Sequence, residues 1–121
     1  MNNKILVLDD DPMTLFSLES VFSEAGYIVN CILKADSLKA SIDTFSPDLI
    51  VLDIRLEDGD GREICNMLKR DTQTKHIPII LLTALSHSEI SEVGCDADAI
   101  LGKSFDMVNL LVTTKNLLRG S

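Results

Sequence analysis

Aromatic side chains are scarce in this sequence of 121 residues, and tryptophan is absent. Aromatic residues make up 4% of the chain, whereas the hydrophobic fraction is 45%, so we expect a core of Ile, Leu and Val. The three cysteines, Cys31, Cys65 and Cys95, are far apart and form no C-x-x-C motif, which argues against a disulfide framework or a metal site. We expect them to be small buried side chains in a reducing cytosol.

Positive charge is also in short supply, because 11 Lys and Arg residues stand against 19 Asp and Glu residues, for a net charge of −8. That sign disfavours nucleic acid and anionic membranes as direct partners, and it favours divalent cations and basic partners. Long apolar runs are missing, and the first run, Ile5–Leu8, is too short for a signal peptide. We therefore expect a cytoplasmic protein.

Short aliphatic runs alternate with helical patterns along the whole chain. The runs predict five strands: Ile5–Leu8, Tyr27–Ile32, Leu49–Leu52, Ile77–Leu82 and Ala99–Leu101. The helical patterns are Pro12–Ala25, Leu38–Phe45, a helix opening at Asp60-Gly61, a weak polar segment Ser86–Val93, and Met107 to Leu118. Because the strands are continuously apolar, both faces of a parallel sheet should be covered by helices. We predict one α/β domain over 1–121, with a folded core of about 4–118.

Local signals mark the ends of these helices. Asp11 before Pro12 is a favourable helix start, in which the aspartate caps the first turn. Gly26 ends the first helix. Gly59 and Gly61 are interpreted as loop residues that let the backbone turn.

Polar side chains follow the predicted strands at the edge where ligands bind in open parallel sheets. Asp9 and Asp10 end the first strand, Asp53 ends the third, Thr83 ends the fourth, and Lys103 follows the fifth. Carboxylates this close together must bind protons or a cation, and oxygen ligands of this type suit Mg²⁺. A carboxylate can also attack phosphorus to form an acyl phosphate. The cluster therefore predicts aspartyl phosphorylation.

The chain resembles the receiver domains of two-component response regulators over essentially its whole length. The matching segments are Ile5 to Pro12, Asp48 to Leu56 with Asp60-Gly61, Pro78 to Ala84, and Gly94 to Asp98 with Lys103. The resemblance implies a (βα)5 flavodoxin-like sandwich with a parallel sheet of order 2-1-3-4-5 and helices on both faces.

The same resemblance implies the role of each site residue. Asp53 would be the phosphoacceptor, and Mg²⁺ would be held by Asp9, Asp10, Asp53 and the backbone carbonyl of Arg55. Thr83 would be the switch hydroxyl. Lys103 would contact a phosphoryl oxygen.

The resemblance also implies a signalling role, in which the chain is a phosphoacceptor switch and not an enzyme with a separate substrate. The phosphoryl donor would be a sensor histidine kinase or a histidine phosphotransfer protein. Phosphorylation would switch the face made by the fourth helix, fifth strand and fifth helix, in a monomer or weak dimer. The output partner is not indicated by the sequence.

Three positions depart from the usual family pattern. Ser104 follows the lysine where most receivers have Pro, Ile100 stands where many have an aromatic residue, and Glu57 replaces a common Pro. These departures keep a second hypothesis open, a receiver-like interaction module that is not phosphorylated. True enzymes on similar folds fit poorly: the nucleotide-binding G-x-x-x-x-G-K-[ST] motif is absent, and three aspartates would repel a flavin phosphate.

Overall fold

A five-stranded parallel sheet forms the centre of the molecule in the computed structural model, which describes residues 3–84, 97–102 and 107–119. Its strands are β1 (Lys4–Leu8), β2 (Ile28–Ile32), β3 (Leu49–Asp53), β4 (Ile79–Thr83) and β5 (Ala99–Gly102). They lie in the order β2-β1-β3-β4-β5, with every neighbouring pair parallel. The predicted fold class and strand order are confirmed.

Helices cover both faces of this sheet. They are α1 (Pro12–Glu24), α2 (Leu38–Phe45), α3 (Gly61–Arg70) and the C-terminal helix (Met107–Arg119). The predicted helix Ser86–Val93 lies outside the described residues. None of the helices described has both the length and the apolar character needed to cross a membrane.

The strand side chains divide the core into two layers, because successive residues of a strand point to opposite faces. Leu6 and Leu8 pack with α2 and α3, in one buried aliphatic cluster. Ile5 and Val7 pack with α1 and the C-terminal helix, in a second cluster that also contains Phe22. As predicted, the core is almost entirely aliphatic, and β3 is buried along its whole length.

Aspartate side chains cap the N-termini of α1 and α3, the helices that begin at the carboxyl edge of the sheet. The Asp11 side chain accepts a hydrogen bond from the Met13 amide at 3.2 Å, as the sequence predicted. Asp60 caps α3 by accepting from the Arg62 amide at 2.8 Å, and its carboxylate also pairs with the Arg62 guanidinium at 2.9 Å. The hydrogen bonds from the Arg62 side chain lower the pKa of Asp60, which keeps the cap ionised.

Two strands begin later than predicted, because hydrogen bonding and not hydrophobicity sets their first residues. Tyr27 is not in β2: its amide bonds back to the Phe22 carbonyl at 3.1 Å, just after Gly26 turns the chain with a φ of 96°. Ile77 is not in β4, since its amide closes a turn onto Thr74 at 3.0 Å.

The prediction for the cysteines is confirmed only in part. Cys65 is buried on the core-facing side of α3, whereas Cys31 is half-buried, because β2 is an edge strand of the sheet. Partial burial of the Cys31 side chain raises the pKa of its thiol to about 11, so the thiol is protonated and unreactive at neutral pH. Cys95 lies outside the described residues.

Candidate functional site: an acidic cluster at the carboxyl edge of the sheet

Three carboxylates meet where β1 and β3 end, side by side in the sheet. Asp9 and Asp10 follow β1, and Asp53 is the last residue of β3. One oxygen from each lies within 4.8 Å of the other two. Asp9 and Asp53 are 1% and 4% exposed, and Asp10 is half-buried. The structure therefore brings together the three aspartates that were predicted from the sequence to form one cluster.

Backbone amides of the neighbouring loops donate hydrogen bonds to each of these carboxylates. Asp9 Oδ1 accepts from the Asp11 amide at 2.9 Å, and Asp53 Oδ1 accepts from the Arg55 amide at 3.3 Å. Asp10 Oδ2 accepts from the amide of Glu57 at 3.0 Å. These contacts hold the three carboxylates in position.

The hydrogen bond from the Glu57 amide to Asp10 depends on one departure from the family pattern, the glutamate in place of proline. A proline at that position has no N–H and could not donate to Asp10. With glutamate there, the loop after Asp53 is tied by its backbone to the acidic pair at the end of β1. No sequence pattern indicates this bond, because the donor belongs to the main chain and 47 residues separate the partners.

The donor set of this cluster fits a hard divalent cation. The facing groups are carboxylate oxygens, without sulfur or imidazole among the three residues, and that combination favours Mg²⁺ over softer metals. Three like charges within 4.8 Å repel one another unless a cation or protons compensate them. Arg55, whose carbonyl is the fourth predicted ligand, lies two residues after Asp53 at the start of a short β-ribbon (Arg55–Leu56 with Gly59–Asp60).

The loop between β3 and α3 is anchored at both ends. Ile54 is buried, its amide donates to the Leu82 carbonyl at 3.0 Å, and its carbonyl accepts from the Gly61 amide at 2.8 Å. The predicted helix start at Asp60-Gly61 is confirmed, and the interpretation of Gly61 as a loop residue is wrong, because Gly61 is the first residue of α3. A Cβ there would lie 2.9 Å from the carbonyl carbon of Asp53 and closer still to its oxygen. Only glycine lets α3 approach the end of β3 this closely.

The remaining two candidates follow the neighbouring strands. Thr83 ends β4 beside β3 and is 1% exposed, one residue beyond the partner of Asp53 in the strand register. Gly102, the last residue of β5, pairs with Thr83. Lys103 comes next in the sequence but lies outside the described residues, as does Ser104.

A further contact links the loop between β3 and α3 to the segment before α2. The Asp58 carboxylate accepts from the amides of Ala35 and Asp36 at 3.1 and 3.3 Å, at the start of the 3-10 turn Ala35–Ser37. A side-chain hydrogen bond with Asp36, followed by the Ala35 amide, lowers the pKa of Asp58. Sequence reasoning missed this residue, because its partners lie 23 and 22 residues away in the sequence and no local pattern links them.

Comparison with known proteins agrees with this geometry. The family model of the response regulator receiver domain matches residues 5–115. The chain is 39% identical over 119 residues to the DNA-binding dual master transcriptional regulator RpaA of Synechocystis, which covers 96% of this chain and 49% of that protein. It is 33% identical to the alkaline phosphatase synthesis transcriptional regulatory protein PhoP of Bacillus subtilis, over all of this chain and 50% of the relative. The chain thus spans about half the length of these relatives.

Solved structures show the same architecture. A putative response regulator from Chloroflexus aurantiacus has a TM-score of 0.89 at 28% identity, covering 98% of this chain and 99% of the other. The BeF3-activated N-terminal receiver domain of RstA from Klebsiella pneumoniae has a TM-score of 0.86 at 29% identity, covering 97% and 99%.

Proposed function

We propose that this chain, which belongs to the response regulator receiver domain family of two-component signal transduction, accepts a phosphoryl group on Asp53 in a Mg²⁺-dependent reaction. The observation that carries the proposal is the meeting of Asp9, Asp10 and Asp53 oxygens within 4.8 Å at the carboxyl edge of the sheet. We also propose that residues 1–121 form a single domain in the cytoplasm.

The proposed chemistry assigns a role to each member of the cluster. Asp9, Asp10, Asp53 and the Arg55 carbonyl would hold Mg²⁺, which neutralises charge on the phosphoryl oxygens. An oxygen of Asp53 forms the new O–P bond as the P–N bond of a phosphohistidine breaks, and the imidazole leaves with its bonding electron pair and takes up a proton. The Arg55 amide, 3.3 Å from Asp53 Oδ1, helps to hold the nucleophile in position.

Lys103 and Thr83 would act on the phosphoryl group after transfer. Lys103 is the residue after β5, whose Gly102 pairs with Thr83, and its ammonium would contact a phosphoryl oxygen. The Thr83 hydroxyl would donate to another oxygen and draw the end of β4 towards Asp53. The chain is then a phosphoacceptor switch that assists its own phosphorylation and hydrolysis, not an enzyme with a separate substrate.

The phosphoryl donor would be a sensor histidine kinase or a histidine phosphotransfer protein. Exposed apolar side chains next to the site support a protein donor: Met13 and Phe16, in the first turns of α1, are 75% and 72% exposed. Helix α1 begins directly after the acidic pair, so a helix resting on these side chains would bring its phosphohistidine close to Asp53.

The output would leave through β5 and the helices beside it. Ile100 on β5 and Val108 and Val112 on the C-terminal helix are 37%, 67% and 50% exposed, and these side chains would contact a partner or a second copy in a weak dimer. Relatives such as RpaA and PhoP are transcriptional regulators about twice as long as this chain. The output partner of this chain is not identified.

Replacing Thr83 by Ala should uncouple this surface from the site. With Mg²⁺ and beryllofluoride, a phosphoryl mimic, amide NMR shifts at Ile100, Val108 and Val112 should move in the wild type. In Thr83→Ala the equilibrium towards the switched form should fall about tenfold, because a hydrogen bond to a charged group is lost.

Thr83→Ser keeps the hydroxyl and serves as the matched control, and it should retain most of the shift change. Beryllofluoride should still bind at Asp53 in all three proteins. Equal responses from Thr83→Ala and the wild type would contradict the assigned role of the hydroxyl.

The alternative is a receiver-like interaction module that is not phosphorylated. It is favoured by Ile100, an aliphatic residue 37% exposed on β5 where many receivers carry an aromatic. Such a module would bind a partner through the same face without a phosphoryl signal. Intact-mass analysis after incubation with a phosphoryl donor separates the two functions, because the interaction module forms no acyl phosphate.

A further inference from the structure

An open groove separates α2 and its preceding turn from α3, on the face of the sheet away from α1. Its volume is about 540 Å³, within the range of ligand-binding clefts. The segment from Ala35 to Lys39 lines the groove opposite α3. Asp58 and Gly59, in the loop between β3 and α3, line one end. All of the lining residues belong to the part of the chain that the structure describes.

The floor of the groove is apolar. Leu38 and Leu68 are buried at its base, Ile64 is half-buried, and Met67 is 57% exposed. A large exposed apolar side chain in a concave surface gains free energy when a partner covers it, and methionine adapts its shape to different partners. The groove is therefore suited to an apolar anchor.

The rim of the groove is strongly acidic. Five carboxylates line it, against the single ammonium of Lys39. The carboxylates are those of Asp36, Asp58, Asp60, Glu63 and Asp71. Among the residues that the structure describes, Asp60 pairs with a cation outside the groove, the guanidinium of Arg62. A partner that covers the floor must therefore carry positive charge around its apolar anchors.

The spacing of the groove residues on α3 indicates how long a partner helix must be to cover them. Glu63, Ile64, Met67 and Leu68 form one stripe along α3, and Asp71, the residue that caps its C-terminus, continues this side of the groove. From Glu63 to Asp71 this side of the groove extends about 12 Å at the rise of an α-helix, which matches two to three turns of a helix with anchors at i, i+3 or i+4, and i+7.

We propose that this groove, which we call the α2–α3 groove, binds a basic amphipathic helix of a partner protein. The apolar face of that helix covers Met67 and Ile64, and its Lys or Arg residues face the acidic rim. A second copy of this chain is a poor occupant, since each copy carries the same net charge of −8. The proposal does not depend on phosphorylation of Asp53, because the groove lies outside the acidic cluster.

The test uses a synthetic 18-residue peptide with Leu at i, i+3, i+4 and i+7 positions and Lys elsewhere, titrated into the ¹⁵N-labelled full chain. A peptide of the same composition in scrambled order removes the apolar stripe. A third peptide with Glu in place of Lys reverses the charge. We expect the first peptide alone to bind with a micromolar dissociation constant, with shift changes concentrated at 35–39 and 58–71.

Two variants of the chain separate the groove from general charge attraction. Glu63→Lys on the rim should weaken binding about tenfold. Glu24→Lys makes the same change of charge at an exposed position on the other face and should have little effect. Met67→Ala should weaken binding several-fold by removing the apolar contact.

Several outcomes would overturn the proposal. These are no binding by the amphipathic peptide, equal binding by the scrambled peptide, shift changes centred on another surface, or equal weakening by Glu63→Lys and Glu24→Lys. Each would mean that the groove is not a docking site for basic helices.

Discussion

Replacing Gly61 by Ala should lower the free energy of unfolding by about 2–3 kcal/mol. The added Cβ would lie 2.9 Å from the carbonyl carbon of Asp53, 3.0 Å from Cα of Ile54, and inside van der Waals contact with the Asp53 carbonyl oxygen. These are backbone atoms of a buried strand end, so they cannot move aside as a flexible side chain can. Either α3 must shift outwards or the end of β3 must bend.

Gly59 offers a matched control for this substitution. A Cβ at Gly59 would meet only Cδ1 of Ile64, at 3.5 Å, which is an ordinary contact. Gly59→Ala should therefore change the free energy of unfolding by no more than about 0.5 kcal/mol. Urea denaturation of the two variants and the wild type measures both effects.

The same pair of variants tests whether the close contact of α3 with the end of β3 holds Asp53 in position for phosphorylation. Because Gly61→Ala displaces the backbone of Asp53, the fraction of protein phosphorylated by acetyl phosphate should fall in the portion that remains folded. Gly59→Ala should leave that fraction unchanged. Equal stability of the two variants would contradict the account of Gly61 as a contact residue of the site.

Asp10→Asn should raise the Mg²⁺ dissociation constant at least tenfold, which is about 1.4 kcal/mol. The substitution removes the negative charge from one of three carboxylates whose oxygens lie within 4.8 Å, and it leaves the side-chain size nearly unchanged. In EDTA the variant should be no less stable than the wild type, because like-charge repulsion in the cluster is reduced. Isothermal titration calorimetry and urea denaturation measure the two quantities.

Asp11→Asn is the control for this experiment, since it removes the same charge one residue further along the chain. Asp11 caps α1 through the Met13 amide, and asparagine is an equally good cap. Mg²⁺ affinity should therefore stay close to the wild-type value. Equal losses in Asp10→Asn and Asp11→Asn would mean that the acidic surface attracts Mg²⁺ as a whole and that Asp10 is not a ligand.

The order of the strands and the position of the cluster could be predicted because they depend on strong, local signals. Continuous aliphatic runs such as those of β1 and β3 identify buried parallel strands. The polar residue that ends each run, such as Asp53 or Thr83, must then lie at the carboxyl edge of the sheet. The cap at Asp11 followed from the same kind of local rule.

The features that sequence reasoning missed depend on contacts between distant segments. The amide of Glu57 meets Asp10, and the carboxylate of Asp58 meets the amide of Ala35, across 47 and 23 residues. The role of Gly61 also depends on where α3 meets β3, which no pattern within the helix reveals. These contacts join the loop between β3 and α3 to the end of β1 and to the segment before α2.

The most direct test of the account is intact-mass analysis after incubation with acetyl phosphate, in Mg²⁺ and in EDTA, on the wild type, Asp53→Asn and Asp11→Asn. We predict one phosphoryl adduct on the wild type and on Asp11→Asn in Mg²⁺, and none in EDTA or on Asp53→Asn. Circular dichroism should show that all three proteins are folded. An adduct that persists in Asp53→Asn, or no adduct on the folded wild type with acetyl phosphate and with a phosphohistidine donor, would contradict the account.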